Sequence, residues 1–321
     1  GPILLTLTVH LEGWQLDRPD PLGVPTYDNY VAMIEGYVDL LDEYDATFTW
    51  EASYLQFHQP GRTEVKPQGV FDPAHPNYIA TTLFSLLSSR GQDTGVHADL
   101  GGNPSKPYSD AFFQADLEVM KANMTALGGR VTHVSGICSD LDWAQAAIRA
   151  GFQFTTGNVA YCVSAMPREA RPDPYKDCRG ASDCHQTYPD AIEKRIHPWR
   201  IKDGASWLDD DPSGELVVLP TSGGLNCLHE SSTSSASATV CELNADDLNV
   251  LRPDLERAIA LRDPDKVNMY YLVLSIGSPY DKEDVRPFLK LVQEYVDKGQ
   301  VEWSTANKIY SAYTQWERTH R

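Results

Sequence analysis

From Ile3 onward the chain alternates short runs of β-branched and large apolar residues with longer runs whose apolar positions recur every three to four residues. A period of two marks a strand and a period of 3.6 an amphipathic helix, and their alternation is the pattern of a parallel sheet with crossover helices. The strand-like runs are Ile3–Glu12, Ala46–Glu51, Thr94–Asp99, Val131–Cys138, Phe152–Gly157, Glu215–Pro220 and Met269–Ile276. A helix is predicted over Thr26–Tyr44, where Tyr30, Met33, Ile34, Tyr37, Val38 and Leu41 share one face. Further helices are predicted over Tyr78–Arg90, Ser109–Leu127, Asp140–Ala150, Ala245–Leu261, Lys282–Lys298 and Thr305–Arg318.

The rhythm breaks over residues 158–214, which are rich in Pro, Asp and Cys and poor in periodic apolar positions. This stretch reads as a long insertion after the fifth strand. Seven strand signals with intervening helices predict an α/β fold, a distorted (β/α)7 barrel forming one domain over 1–321, although a doubly wound open sheet also fits the pattern. In a parallel barrel the chemistry gathers at the C-terminal ends of the strands. That expectation selects which polar residues to weigh.

The first strand ends Thr8-Val9-His10-Leu11-Glu12-Gly13-Trp14, and the third ends Gly95-Val96-His97-Ala98-Asp99. Strand side chains alternate, so each strand presents an imidazole and a carboxylate to one side. His10, His97 and Asp99 are therefore candidate ligands of a divalent metal, zinc above all, with Glu12 as the base that activates a water. His133, on the fourth strand, is a candidate third nitrogen ligand or a proton donor to the leaving group. Asp140 is a second candidate acid, but Ser139, Asp140 and Asp142 equally suit the capped start of a helix. Glu51 ends the second strand as an inward carboxylate in reach of substrate. Trp14, Trp50, Trp199 and Trp207 are candidate platforms for a sugar ring, and His197 falls in irregular sequence.

Composition narrows the partners. The 321 residues carry a formal net charge of −18, which disfavours nucleic acid and anionic membrane surfaces, since both are held by clustered Lys and Arg. No apolar run approaches the ~20 residues of a membrane span. All six cysteines lie between 138 and 241. Cys178 with Cys184 and Cys227 with Cys241 bracket short polar loops, leaving Cys138 with Cys162 by elimination, although six cysteines allow about 15 pairings. An even count without C-x2-C spacing suits an oxidising compartment, hence a secreted or periplasmic protein, rather than a zinc cluster. Gly1-Pro2 reads as the remnant of a cleaved tag, and Asn123-Met124-Thr125 is a sequon inside a predicted helix. No G-x-S-x-G elbow, Walker A loop or G-x-G-x-x-G is present.

The segments Leu7–Trp14 and Asp93–His97 resemble the strand-one motif and the metal-binding histidine segment of the polysaccharide deacetylase family. Ser135-Gly136-Ile137-Cys138, followed by a helix and then Ala150-Gly151-Phe152, is similar to that family's third motif and next strand. The resemblance spans about 3–157 and 267–316. It implies a seven-stranded barrel and metal-dependent deacetylation of a carbohydrate. Only His97 falls on a family ligand position, because His10 stands in place of the expected acid, Gly101 in place of the second histidine, and the third-motif arginine is missing. Two other readings remain open: a metal-independent glycoside hydrolase using Glu12 with Asp99 or Asp140, and a carbohydrate-binding barrel without catalysis.

Overall fold

The computed structural model describes residues 1–11, 27–59, 62–67, 80–100, 109–126, 128–180, 183–233, 241–275 and 282–321. Glu12 and Trp14 lie outside these residues. Strand β1 (Ile3–Leu11) is central, paired in parallel with β2 (Thr49–Gln59) toward its end and with β10 (Met269–Ser275) along most of its length. Beyond β2 follow β4 (Asp93–His97), β5 (His133–Ser135), β6 (Phe154–Thr155) and β8 (Leu216–Val218), all parallel, and β9 (Gly223–Gly224) flanks β10. These strands curl into a half-barrel with helices outside, the distorted (β/α) barrel expected from the alternating pattern.

Four strands escape the sequence pattern, the two-residue β9 and three others. Strand β3 (Arg62–Pro67) folds back antiparallel on β2, β7 (Trp199–Ile201) lies antiparallel on β8, and β11 (Val301–Trp303) pairs with the start of β1. β11 occupies the edge of β1 just below the point where β2 begins, and Ala306 N then donates to Thr49 Oγ1 at 2.9 Å. The principal helices are α1 (Tyr27–Asp42), α2 (Ala80–Ser89), α3 (Asp110–Ala126), α4 (Trp143–Arg149), α7 (Ala245–Ala260), α8 (Arg286–Val296) and α9 (Ala306–His320). Two short ones, α5 (Ile192–Arg195) and α6 (Leu228–Thr233), sit between β6 and α7. α4 starts later than expected: Asp142, not Ser139, is its N-cap, accepting from Gln145 N at 3.1 Å. Asp142 wins because the same oxygen also accepts from Gly204 N at 2.8 Å, a tie to the insertion that Ser139 does not make.

Alternation along β1 divides the protein into two layers. Leu5, Leu7, Val9 and Leu11 belong to the large apolar cluster between sheet and helices. Thr6, Thr8 and His10 point the other way, into the barrel, and are buried as well. The barrel floor is a second cluster, in which Phe154, Val217, Leu219, Met269 and Tyr271 are plugged by Ala306, Ile309 and Tyr313 of α9. Above that floor the interior turns polar.

Three disulfides, Cys138–Cys162, Cys178–Cys184 and Cys227–Cys241, match the pairing read from the loops, and no cysteine is free. The first ties the end of β5 to the insertion, closing a loop that the unfolded chain would otherwise explore freely. Replacing Cys138 and Cys162 together by Ala is expected to lower stability by on the order of 3 kcal/mol, measured by urea unfolding without reductant. An unchanged midpoint would mean that the bridge constrains nothing.

Candidate active site

Parallel pairing aligns His10 with Glu51, Glu51 with Gly95 and His133 with Phe154, so four neighbouring strands and β6 contribute one continuous row across the barrel interior. Glu51 is its centre. The carboxylate is fully buried and is ringed by donors from other strands. His133 Nε2 donates to Oε1 at 3.0 Å, Thr156 Oγ1 donates to Oε1 at 2.9 Å, and Ser135 Oγ donates to Oε2. Tyr271 OH reaches Oε1 at 3.4 Å and itself receives a hydrogen bond from Thr8 Oγ1. His10 Nε2 lies 3.1 Å from Oε2. Burial alone would raise this carboxyl, but His10 and His133 override it and hold Glu51 well below the usual carboxylate range.

Gly95 makes this convergence possible. A Cβ at that position would lie 2.2 Å from His133 Nε2 and 2.3 Å from Cε1, so the imidazole crosses β4 through the space that glycine leaves open. The ring is held from behind by Phe154, stacked at 4.6 Å. His133 is thus fully enclosed between an aromatic face and Glu51.

One row farther along, His97 pairs with Ser135 across β4 and β5, and its Nδ1 lies 2.8 Å from Ser135 Oγ. The serine has a single hydrogen, which goes to Glu51. Its oxygen must therefore accept from His97 Nδ1–H, which leaves His97 Nε2 carrying the lone pair. The His97 ring stacks on His10 at 3.8 Å between centroids. His10 Nε2 is buried yet makes no hydrogen bond of good geometry, its contact with Glu51 being close but misdirected.

Ligand atoms of His10, Glu51 and His97 all lie within 4.8 Å of one another, and two imidazoles with a carboxylate form a donor set suited to a first-row divalent ion. The orphaned His10 nitrogen fits such an ion. The carboxylate in this group is Glu51, not Asp99. Asp99 was expected on the same face as His97 by strand alternation, but β4 ends at His97 and Asp99 adopts a left-handed φ of 50°, which carries it to the exposed rim. Gly136 makes room for that turn, since a Cβ there would lie 2.7 Å from Asp99 N and 3.0 Å from His97 Cε1.

Other expected site residues fall elsewhere. Asp140 is exposed in the turn before α4. Trp207 is fully buried against the edges of Trp143 and Tyr188, and Trp199 packs over it with Nε1 donating to Trp207 O at 2.7 Å. Neither indole face is open to a sugar, because the insertion folds around its own aromatic core. His197 stitches the insertion to the strand region through Nδ1 and Val267 O at 3.0 Å.

The insertion instead delivers Tyr161 and His185, which no periodicity in the sequence singles out. Their rings stack at 5.6 Å, and the charges of Asp99, His10 and His97 all act on the His185 imidazole. His185 is exposed, yet desolvation by the protein around it pushes its pKa down. Burial, with Asp99 nearby, raises the Tyr161 phenol far above its ordinary value and keeps it neutral.

No family model matches the sequence, and no curated protein matches it significantly. Solved structures do match in fold. A protein assigned as a polysaccharide deacetylase from Mycobacterium smegmatis superposes with a TM-score of 0.55 at 13% identity, over 98% of this chain and 91% of that one. The Puue allantoinase gives 0.57 at 13% identity, over 99% and 91%. A protein assigned as a polysaccharide deacetylase from Pseudomonas aeruginosa gives 0.56 at 12% identity, over 99% and 92%. At such identities the likeness speaks for fold. The chain thus has the barrel of the polysaccharide deacetylase structures, the fold that its strand-one and strand-three segments anticipate.

Proposed function

We propose that this protein is a secreted or periplasmic metal-dependent hydrolase that removes acyl groups from a carbohydrate. The observation that carries the reading is the His10–Glu51–His97 cluster, in which a buried imidazole nitrogen lacks a hydrogen bond at the mouth of a deacetylase-type barrel. Three disulfides accord with an oxidising compartment, and among the described residues no helix is long and apolar enough to cross a membrane.

His10, His97 and Glu51 would hold the ion, with zinc the metal this donor set suits. What such an ion supplies when bound is polarisation of an acyl carbonyl and a more acidic water. The chain's own residues do the rest. Ser135 fixes the His97 tautomer so that Nε2 carries the lone pair, and stacking on His97 at 3.8 Å between centroids orients the His10 ring. Glu12, two residues beyond His10, is the proposed general base. His133 serves as a positioning residue: enclosed between Phe154 and Glu51, it has no route to a leaving group.

His97→Ala is expected to abolish metal retention and activity together while costing little stability, because the ring lines the site and not the apolar clusters. Elemental analysis of protein purified without chelator, run beside an acetate-release assay on acetylated oligosaccharides, tests this. Full wild-type activity in excess chelator would overturn metal dependence and leave paired carboxylates as the chemistry.

A further inference from the structure

Two residues of the insertion, Tyr161 and His185, lie within the electrostatic reach of Asp99 at the rim of the site. Ala160 N donates to Gln186 O at 2.9 Å, and Val159 forms a β-bridge with Thr187, so the segments around Tyr161 and His185 run side by side. Each residue is also next to a half-cystine. Tyr161 precedes Cys162, which is bridged to Cys138 just past the end of β5, and His185 follows Cys184, which is bridged to Cys178. β5 leads up to Gly136, the residue on which the Asp99 turn and the His97 ring rest. One covalent link, Cys138–Cys162, thus ties the segment of the buried Tyr161 ring to the end of β5, and a second, Cys178–Cys184, braces the loop that carries the exposed His185 imidazole.

We propose that His185 is a substrate-contacting residue, forming with Tyr161 behind it and Asp99 beside it the wall that holds the sugar next to the reacting acyl group. This rests on the hydrolase reading above. The arrangement has the parts that sugar recognition needs: a flat ring face for the apolar side of a pyranose, kept in place by stacking, and a nearby carboxylate to accept hydroxyl hydrogen bonds. The disulfides supply preorganisation, since a loop already held in its binding conformation loses less freedom when the ligand arrives.

The test compares wild type, His185→Ala and His185→Phe by calorimetric titration with an N-acetylglucosamine tetramer, with metal content and melting temperature measured on each. His185→Ala is expected to weaken binding about tenfold, as loss of a stacking contact does, with metal content and melting temperature unchanged. His185→Phe, which keeps a flat ring, is expected to recover most of that loss. Equal affinity of wild type and His185→Ala, or no binding by the wild type, overturns the proposal. Loss of metal in His185→Ala also overturns it, by assigning the ring to the ion. A wild type that binds the tetramer through His185 but retains no metal would instead sink the hydrolase reading and leave the sugar contact standing.

Discussion

Glu51→Gln is expected to destabilise the protein by about 3–5 kcal/mol and to abolish any metal binding at the proposed site, the largest effect expected of a conservative change in the barrel. An amide keeps the shape of the carboxyl but turns one acceptor into a donor. His133, Thr156 and Ser135 all present hydrogens to the two oxygens, so at least one pair would then meet donor to donor in a place water cannot reach. The pH dependence carries the same signature. Glu51 is held well below the ordinary glutamate value of 4.5 in the folded protein, so its contribution to stability is fully present above that value. It is lost as pH falls through the lower folded-state value. Urea unfolding as a function of pH should therefore show a steep acid loss in wild type that Glu51→Gln lacks. Parallel curves for the two proteins would show that the carboxylate is not the charged hub described here.

Gly95→Ala should be nearly as damaging, at roughly 3 kcal/mol, for a purely steric reason. The added methyl would occupy the space of the His133 ring, which cannot retreat because Phe154 is stacked on its other side. Either the ring leaves Glu51 or β4 is pushed away from β5. The explanation predicts coupling: in a double-mutant cycle, His133→Ala should remove most of the additional cost of Gly95→Ala, since the methyl would then fill the vacated space. Strictly additive losses would place the strain elsewhere.

Much of this architecture was legible in the chain. The seven strand runs correspond to β1, β2, β4, β5, β6, β8 and β10, because each joins a period-two pattern to a helix of period 3.6. β3, β7, β9 and β11 were not: the last three are two or three residues long and stabilised by neighbours distant in sequence, and β3, Arg62–Pro67, is a polar strand folded back on β2. The alternation rule correctly put His10 and His97 inside one barrel, yet it failed at Asp99, where the strand ends and a left-handed residue breaks the period. Glu51 was visible as an inward carboxylate, but its burial depends on donors from β5, β10 and the residue after β6, a convergence that no local pattern encodes. Gly95 carried a signal that went unread: a glycine in a strand interior marks close approach by another group, here an imidazole. The tryptophans of the insertion could not be oriented, because irregular sequence has no period from which to infer a face.

The two rims of this site are bound to the fold unequally, and that sets which of them selection can reshape. Asp99 and His185 stand on a turn and a loop, so both could be exchanged for other side chains while the barrel folds as before. Glu51 offers no such freedom. If the proposed hydrolysis were lost, and the ion with it, the fold would still need this glutamate to satisfy the hydrogens of His133, Ser135 and Thr156. The buried carboxylate would then persist as a relic of a chemistry no longer practised, so its presence in a related barrel is weaker testimony to catalysis than the histidines that face it.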